Sequence, residues 1–466
     1  MRSHLLRMAV FVILVMSLPV LSAQTPQKVN TPDDRYKVDI LEVVAHPDDE
    51  AFFTPYLARA IYDMHKRVAV VFSTHGGSGV NRFTRERGPA MANEREIEAR
   101  EACARLGIKN VWFLDGKDTA SQDVLNSLSN WGHGANLERL VALIRLTRPE
   151  VIFTHFPGVF IGENHGDHQA TGVLVVEAFD LAADPTVFPS QLAGDMNHYE
   201  SYLSNLQTWQ AKKIYFGSDA NDNKQFDGSG ATYSVREISP SQKKPYWRLA
   251  LDSAMEHRTQ FPDDIDHLSK MSDAELEKIM SDPNSAWWSE PSTLIFGKSY
   301  YASKPTDDVF ANLDGKVSSC PSSGVAQRPS GESYVNLGGP WGFYDEFRKA
   351  HCLQSIRVAN PPEIGVKSGS TLSVPLTVHH DERKTLEIVI TAEVPQNWKV
   401  KSGAGKFLLP AEASTNLRLE IETPTLSEAE LKKGTRQHVK VKVTSDGMAD
   451  RELEIDVLLR SSALPE

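Results

Sequence analysis

Apolar residues recur with two different periodicities along the chain, and each periodicity predicts a different kind of structure. In the first part, short apolar runs alternate with stretches in which apolar residues recur every three or four positions. This alternation predicts strands separated by helices, and therefore a mostly parallel sheet with right-handed crossovers. The predicted strands cover residues 38–45, 68–74, 111–114 and 151–155, and the predicted helices cover residues 52–66, 86–106, 137–146 and 169–183.

The pattern changes after Pro361 and Pro362, where alternation of apolar and polar residues replaces the helical period. Turn residues separate the alternating segments, which is typical of a β-sandwich of about 100 residues. These segments cover residues 371–378, 386–394, 416–421, 438–443 and 452–458. Between the two parts, residues 217–246 are polar and rich in Gly, Asp and Ser, which predicts a long loop or insertion. Helical patterns resume at residues 247–260 and 273–280.

These patterns predict an α/β fold class with a second, all-β domain. The expected architecture is a Rossmann-like, mostly parallel sheet flanked by helices over residues 38–355, with the polar insertion inside it. A β-sandwich over residues 356–466 follows. Residues 24–37 are interpreted as a linker.

The N-terminus has the features of a secretory signal peptide over residues 1–23. Arg2 and Arg7 precede an apolar stretch at residues 8–20, and residues 21–23 form a plausible small-residue cleavage site. The stretch is too short for an ordinary membrane span of about 20 residues, although an uncleaved anchor remains an alternative. The expected location is therefore periplasmic or extracellular, with no stable membrane span after the signal is removed.

The charge of the chain narrows its possible partners, and the cysteines suggest one disulfide. The 466-residue chain has a formal net charge of −11 and lacks a basic block, which makes nucleic acid and anionic membrane surfaces poor partners. Cys320 and Cys352 could pair in an oxidising compartment, whereas Cys103 lies in a helical pattern and is expected to be a buried free thiol. The sequence leaves the oligomeric state open.

Two clusters of polar residues follow predicted strands. His46-Pro-Asp48-Asp49-Glu follows the first strand, and His165-Gly-Asp-His168 follows the strand at 151–155. Because the carboxyl ends of parallel strands meet at one edge of a sheet, the two clusters are expected to converge.

Together these clusters provide the ligands of a catalytic zinc site, which has three protein ligands and one open position. His46, Asp49 and His168 supply two imidazoles and one carboxylate. In an extended segment Asp48 would face away from Asp49 and remain free as a base, and His165 lies one helical turn before His168. Two alternatives are solvated surface clusters and a magnesium-dependent phosphate-handling domain, but the paired histidines disfavour the second.

The first cluster resembles the His-Pro-Asp-Asp-Glu signature of the LmbE/PIG-L family of zinc-dependent de-N-acetylases. A helix containing Arg95 resembles the family's Arg-x-x-Glu helix, Asp115 matches a strand end, and residues 254–260 resemble a later helix, with the likeness covering roughly residues 38–300. Gly166 stands where some members have proline. The C-terminal sandwich resembles the Ig-like modules of secreted glycan-active enzymes.

This resemblance implies a role for each candidate residue. His46, Asp49 and His168 correspond to the Zn²⁺ ligands, Asp48 to the general base, and His165 to a residue that stabilises the oxyanion or acts as an acid. Arg95 and Asp115 are expected to orient substrate or support the motif loop, although a structural salt bridge and cap explain them equally well.

The implied function is an exported hydrolase that removes the N-acetyl group from an amino sugar or an N-acetylglucosamine-containing glycan. A glycan-binding protein with a relic zinc site is the alternative, which the intact set of candidate residues disfavours. A binding protein has no need of the base at Asp48.

Overall fold

The computed structural model describes most of the chain. The described residues are 31–79, 81–82, 84–158, 165–193, 200–217, 230–282, 285–301, 306–314, 333–356, 361–431 and 436–461. The predicted signal peptide, Cys320 and residues 218–229 of the polar insertion lie outside them. The pairing of Cys320 with Cys352 therefore stays a prediction, whereas Cys103 is a buried free thiol, as expected.

A mixed sheet forms the centre of the first part of the chain and confirms the predicted α/β class. Within the described residues its order is β3-β2-β1-β4-β5-β7-β6, and the first five strands are parallel. The strands are β1 (Ile40–Val44), β2 (Val68–Thr74), β3 (Asn110–Gly116), β4 (Val151–His155), β5 (Lys213–Gly217), β6 (Gly230–Tyr233) and β7 (Ser292–Ser299).

Helices cover both faces of this sheet. They are α1 (Thr54–Tyr62), α2 (Pro89–Arg105), α3 (Val124–Trp131), α4 (His133–Thr147), α5 (Gly166–Leu181), α6 (Tyr246–Ala254), α7 (Pro262–Leu268), α8 (Asp273–Ser281) and α9 (Gly339–Ala350). Every residue of β1, β2 and β4 is buried. This explains why these strands are mostly apolar in the sequence, with the buried Glu42 of β1 as an exception, as expected for a sheet that is covered on both sides.

Several local predictions differ from the structure. The helix predicted at residues 52–66 is preceded by a 3₁₀ turn (Asp49–Phe52) and begins only at Thr54. Helix α3 was not predicted because its eight residues include two asparagines and two serines, which favour turns. Part of the predicted polar insertion is strand β6, which is stabilised by antiparallel pairing with β7 rather than by its own sequence pattern.

The C-terminal region is rich in β-structure and contains two further sheets, mostly antiparallel. Their orders are β12-β14-β10-β8 and β13-β11-β15-β16-β9 within the described residues. The strands are β8 (Tyr334–Leu337), β9 (Glu363–Lys367), β10 (Thr371–His380), β11 (Leu386–Glu393), β12 (Lys399–Ser402), β13 (Gly405–Leu409), β14 (Ala413–Glu422), β15 (Arg436–Ser445) and β16 (Met448–Arg460), with a short helix α10 (Glu428–Leu431). Strand β8 precedes the predicted boundary at residue 356 but pairs with β10.

Buried alternating residues from both sheets form one core, which includes Val374, Ile388 and Val441. This agrees with the predicted packing of two β-sheets. The finer Ig-like assignment stays a prediction. Among the described residues, no helix combines the length and the hydropathy of a membrane span.

Candidate metal centre

The loop after β1 is a tight turn that brings two side chains of the first motif together. The backbone N–H of His46 donates to Asp49 Oδ2 at 2.6 Å, and the backbone N–H of Asp49 donates to the His46 carbonyl at 3.2 Å. Asp48 has φ 101°, in the left-handed region. The sequence argument assumed that this segment is extended, and that assumption was wrong. The separation of Asp48 from Asp49 results from this turn, and a strained aspartate is common at functional sites.

The second motif begins helix α5 directly beyond the end of β4. His165 is the N-cap of this helix, and its Nδ1 accepts a hydrogen bond from the backbone N–H of Asp167 at 3.1 Å. A Cβ at Gly166 would lie 2.9 Å from Ser127 Oγ and 3.0 Å from the Ser121 carbonyl. A side chain at position 166 would therefore disturb the start of the helix that contains His168.

His46, Asp49 and His168 converge, as the sequence predicts. One potential ligand atom from each residue lies within 4.8 Å of the other two. Asp49 is central, because Oδ2 lies 3.2 Å from His46 Nδ1 and Oδ1 lies 3.2 Å from His168 Nε2. All three side chains are buried, and none is more than 7% exposed. Two imidazoles and one carboxylate in this arrangement match the ligand set of catalytic zinc.

His155, the last residue of β4, contacts two members of this cluster. Its Nε2 is 3.3 Å from Asp49 Oδ2, and its ring stacks on the His168 ring with a centroid distance of 4.3 Å. The contact with the carboxylate that would bind the metal orients that carboxylate, which is the usual role of a residue beside a metal ligand.

Asp48 is held by a buried arginine. Arg95 Nη2 lies 3.1 Å from Asp48 Oδ2, and the guanidinium also donates to the backbone carbonyls of Pro47 and Gly76. Arg95 therefore supports the motif loop, one of the two roles expected for it. Burial raises the pKa of Asp48 to about 6, although the charge of Arg95 acts in the opposite direction.

The electrostatic environments of the histidines differ. Burial lowers the pKa of His165 well below its usual value, and repulsion from His46 and His168 adds to this effect. Burial also acts to lower the pKa of His46, but the carboxylates of Asp118 and Asp167 outweigh it, so that this pKa is raised well above its usual value. The neutral form of His165 is therefore favoured.

The opposite shift is found at the central carboxylate. Burial acts to raise the pKa of Asp49, but His168 and His155 outweigh this effect, and the pKa is lowered well below its usual value. Asp49 is therefore ionised at neutral pH, as a metal-ligating carboxylate must be.

Two functional candidates were missed by the sequence analysis. Asp118 Oδ1 lies 3.4 Å from His46 Nε2, and Asp118 forms a second group of possible ligands with His46 and His165. Asp167 Oδ2 also lies 3.4 Å from His46 Nε2 and accepts the backbone N–H of Thr119 at 2.8 Å. Asp167 stands inside the second motif, and this position could have identified it.

Asp115 is not brought to the cluster. It is exposed and lines a separate cavity of about 480 Å³ together with Arg139 and Glu200. Strand β3 contains one extra residue opposite Ser73, because Phe72 pairs with Phe113 but Thr74 pairs with Gly116. Such a bulge changes which side chains face each side of a sheet. In this part of the chain, the carboxylate that contacts His46 is that of Asp118, which lies in the loop after β3.

A second buried pair supports the first motif. His257 Nε2 contacts Glu50 Oε1, while Glu50 Oε2 accepts the backbone N–H of Asp48 at 2.9 Å. Burial acts to lower the pKa of His257, but Glu50 outweighs it and raises the pKa. The helix predicted at residues 247–260 ends at Ala254, so His257 lies in the turns that follow α6 and connects this segment to the motif loop.

This site lies at the carboxyl edge of a parallel sheet. It combines two imidazoles, one ionised carboxylate and a neighbouring carboxylate, which is typical of a metal-dependent hydrolase. Comparison with known proteins gives the family. Residues 41–179 match the family model described as PIG-L: GlcNAc-PI de-N-acetylase. These residues therefore resemble the PIG-L family, as the motifs predict.

Curated relatives match a larger part of the chain. A 1D-myo-inositol 2-acetamido-2-deoxy-alpha-D-glucopyranoside deacetylase of Thermobifida fusca is 26% identical over 257 residues, which are 47% of this chain and 82% of that protein. An enzyme of the same name from Frankia alni is 31% identical over 37% of this chain and 59% of its own length. Among solved structures, the N,N'-diacetylchitobiose deacetylase of Pyrococcus horikoshii covers 61% of this chain and 92% of its own, with 20% identity and a TM-score of 0.39.

Proposed function

We propose that this chain is an exported, zinc-dependent enzyme that hydrolyses the N-acetyl group of an amino sugar or an N-acetylglucosamine-containing glycan. The observation that carries the proposal is the convergence of His46, Asp49 and His168 beside the separately held carboxylate of Asp48. The family match and the named activities of the relatives support the type of bond that is cleaved.

The residues present fit a zinc ion. The cluster offers nitrogen and carboxylate oxygen atoms, which zinc prefers, and three protein ligands are the usual number in a catalytic site. His46, Asp49 and His168 would hold the ion. When bound, zinc would supply Lewis acidity, which lowers the pKa of a coordinated water to about 7 and polarises the amide carbonyl.

Asp48 is the candidate general base. Its side chain lies next to the ligand set but is held by Arg95 rather than by His46 or His168. The guanidinium fixes the position of one carboxylate oxygen and favours the ionised form, which can accept a proton from the attacking water. General-base catalysis of this kind contributes about 10²–10⁴-fold to the rate.

His165 is the candidate hydrogen-bond donor to the developing oxyanion. Its Nδ1 accepts the backbone N–H of Asp167, so the neutral ring must have its hydrogen on Nε2. A neutral imidazole fixed in this tautomer can donate from Nε2 without first gaining a proton. Of the two roles expected for His165, this geometry favours oxyanion stabilisation, which is worth about 3–4 kcal/mol per donor.

Export and the nature of the substrate are inferred from the sequence and the relatives. The N-terminal residues have the pattern of a signal peptide, which favours envelope or environmental glycans as substrates. The acidic net charge favours a neutral or cationic glycan over nucleic acid.

The first test measures zinc content and acetate release for the same variants. Asp48→Asn should retain zinc and lose about 10²–10⁴-fold in kcat on N-acetylglucosamine, its chitobiose dimer or the inositol glycoside, whichever the parent cleaves. The exposed Asp264 provides the matched control, and Asp264→Asn should leave kcat unchanged. Parental turnover by Asp48→Asn would exclude the proposed base.

The second test addresses the ligands. His46→Ala and His168→Ala should each lose the bound metal, whereas His267→Ala, an exposed histidine on α7, should retain it. If both ligand variants retain stoichiometric zinc, the ligand set is wrong. If the parent binds zinc and a glycan but releases no acetate from any compound tested, the alternative of a glycan-binding protein with a relic site is favoured.

A further inference from the structure

The C-terminal region contacts the same loop that contributes Asp118 to the metal centre. This loop, residues 117–123, follows β3, and its Thr119 and Ser121 are tied to the second motif. The Thr119 N–H donates to Asp167, and the Ser121 carbonyl accepts the N–H of Gly166 at 2.6 Å. The position of the 117–123 loop therefore influences both motifs.

Gln122 connects this loop to the C-terminal β-structure. Its Nε2 donates to the carbonyl of Gly365 at 3.0 Å, and its Oε1 accepts the N–H of Gly365 at 3.0 Å. Gly365 lies in β9, the edge strand of its sheet within the described residues. The amide of Gln122 thus occupies the backbone donor and acceptor that a further strand would use.

Position 365 also has little room for a side chain. A Cβ on Gly365 would lie 3.0 Å from Gln122 Nε2 and 2.9 Å from Arg460 Nε. The absence of a side chain at residue 365 therefore lets the loop approach the edge of the sheet closely.

Helix α9 provides a second, independent contact. The Tyr344 hydroxyl, which is buried, donates to Gln169 Oε1, and Gln169 directly follows His168 on α5. At the end of α9, His351 Nδ1 lies 2.8 Å from Asp180 Oδ2, near the end of α5. Tyr344 and Phe347 belong to the same apolar core as α4 and α5. Helix α9 and the residue that follows it therefore contact α5 near both of its ends.

We propose that strand β9 and helix α9 act as positioning elements for the metal centre, β9 through its contact with Gln122 and α9 through the contact of Tyr344 with α5. The first contact fixes the 117–123 loop and with it Asp118, and the second fixes the turn that contains His165 and His168. Gln122 and Tyr344 are positioning residues, because they act through the loop and the helix rather than on the reacting atoms.

The test uses the full-length mature protein and two single-residue variants, Gln122→Ala and Tyr344→Phe. The controls are Gln242→Ala, an exposed glutamine in a turn, and Tyr62→Phe, whose hydroxyl donates to the Arg105 carbonyl at 3.0 Å on the opposite face of the sheet. Amide hydrogen exchange is the first measurement. Gln122→Ala should speed exchange in residues 117–123 about tenfold, and Tyr344→Phe should do the same in residues 165–169, because each variant loses hydrogen bonds worth about that factor.

The second measurement separates positioning from general stability. Both variants should lower kcat about tenfold, with KM changed less than twofold, one zinc per chain retained and the thermal midpoint close to that of the controls, since small displacements of catalytic groups reduce turnover strongly. Unchanged exchange in both segments would overturn the proposal, as would faster exchange with parental kcat.

Only the kinetic part of this test rests on the proposed function. If the parent releases no acetate from any compound tested but exchange changes as expected, the deacetylase proposal fails and the positioning role is supported. If the parent is active but neither variant differs from its control, the positioning role fails and the deacetylase proposal is unaffected.

Discussion

Gly172 on helix α5 gives the sharpest test of how the second motif is placed. This residue lies one turn beyond His168, where the helix crosses the end of β4. A Cβ at this position would lie 2.5 Å from the carbonyl oxygen of His155, and 2.7 and 2.9 Å from the N and Cα atoms of Pro157. All three are main-chain atoms, so no side-chain rotation can relieve the contact. Gly172→Ala must therefore move the helix away from β4.

The size of the effect follows from these distances. Ordinary contacts between non-bonded heavy atoms are about 3.5–4.0 Å, so α5 must move by about 1 Å. Overpacking of this kind costs about 1–3 kcal/mol, of which the better helix propensity of alanine offsets up to about 1 kcal/mol. Because His168 moves with the helix relative to Asp49, a displacement of this size can reduce kcat by as much as about 10²-fold.

Denaturant unfolding followed by tryptophan fluorescence, zinc content and acetate release measure these effects together. The matched control is Gly134→Ala on α4, where a Cβ would meet nothing within 4 Å. This control should be neutral or slightly stabilising. If Gly172→Ala and Gly134→Ala have equal stability, zinc content and kcat, then close packing of α5 on β4 does not position His168.

Three further predictions follow from buried groups and from the metal. Glu50→Gln should destabilise the fold by about 1.5–3 kcal/mol in denaturant unfolding, because it replaces the charged partner of the buried His257 by a neutral one, and parental stability would contradict this. Burial acts to raise the pKa of Asp180, but His351 and Lys298 outweigh this effect, so that the pKa of Asp180 is lowered. Its stabilising contribution should be present above about pH 4 and lost below, so Asp180→Asn should flatten the acid limb of stability against pH, and an unchanged limb would refute the assignment. Chelation should abolish acetate release and lower the thermal midpoint, and zinc should restore both; activity that survives complete zinc removal would contradict the metal assignment.

The sequence predicts most of the parallel sheet because its strands are buried on both faces. Strands β2 and β4 have the bounds that their apolar runs predict. The two motifs also converge as expected, because parallel topology fixes where the loops after β1 and β4 must lie. The parallel topology and the chemistry of the side chains were sufficient to predict that His46, Asp49 and His168 converge.

The features that were missed depend on tertiary structure rather than on local pattern. The sequence analysis selected Asp115 by its resemblance to a family strand end, whereas the carboxylate that contacts His46 is that of Asp118 in the loop after β3. The left-handed conformation of Asp48 has no signal in the periodicity of the chain. The pairing of Gln122 with Gly365 joins residues 243 positions apart, which no local pattern predicts.

The proposed function requires that one metal ion is held by His46, Asp49 and His168, and that Asp48 does not bind this ion. Anomalous diffraction at the zinc edge, from crystals of the zinc-loaded protein, tests this most directly. We predict a single peak in the metal centre within about 2.0–2.2 Å of a nitrogen of each histidine and an oxygen of Asp49, and beyond bonding distance of Asp48. A peak bonded to Asp48, or no peak between the two motifs, would contradict the account.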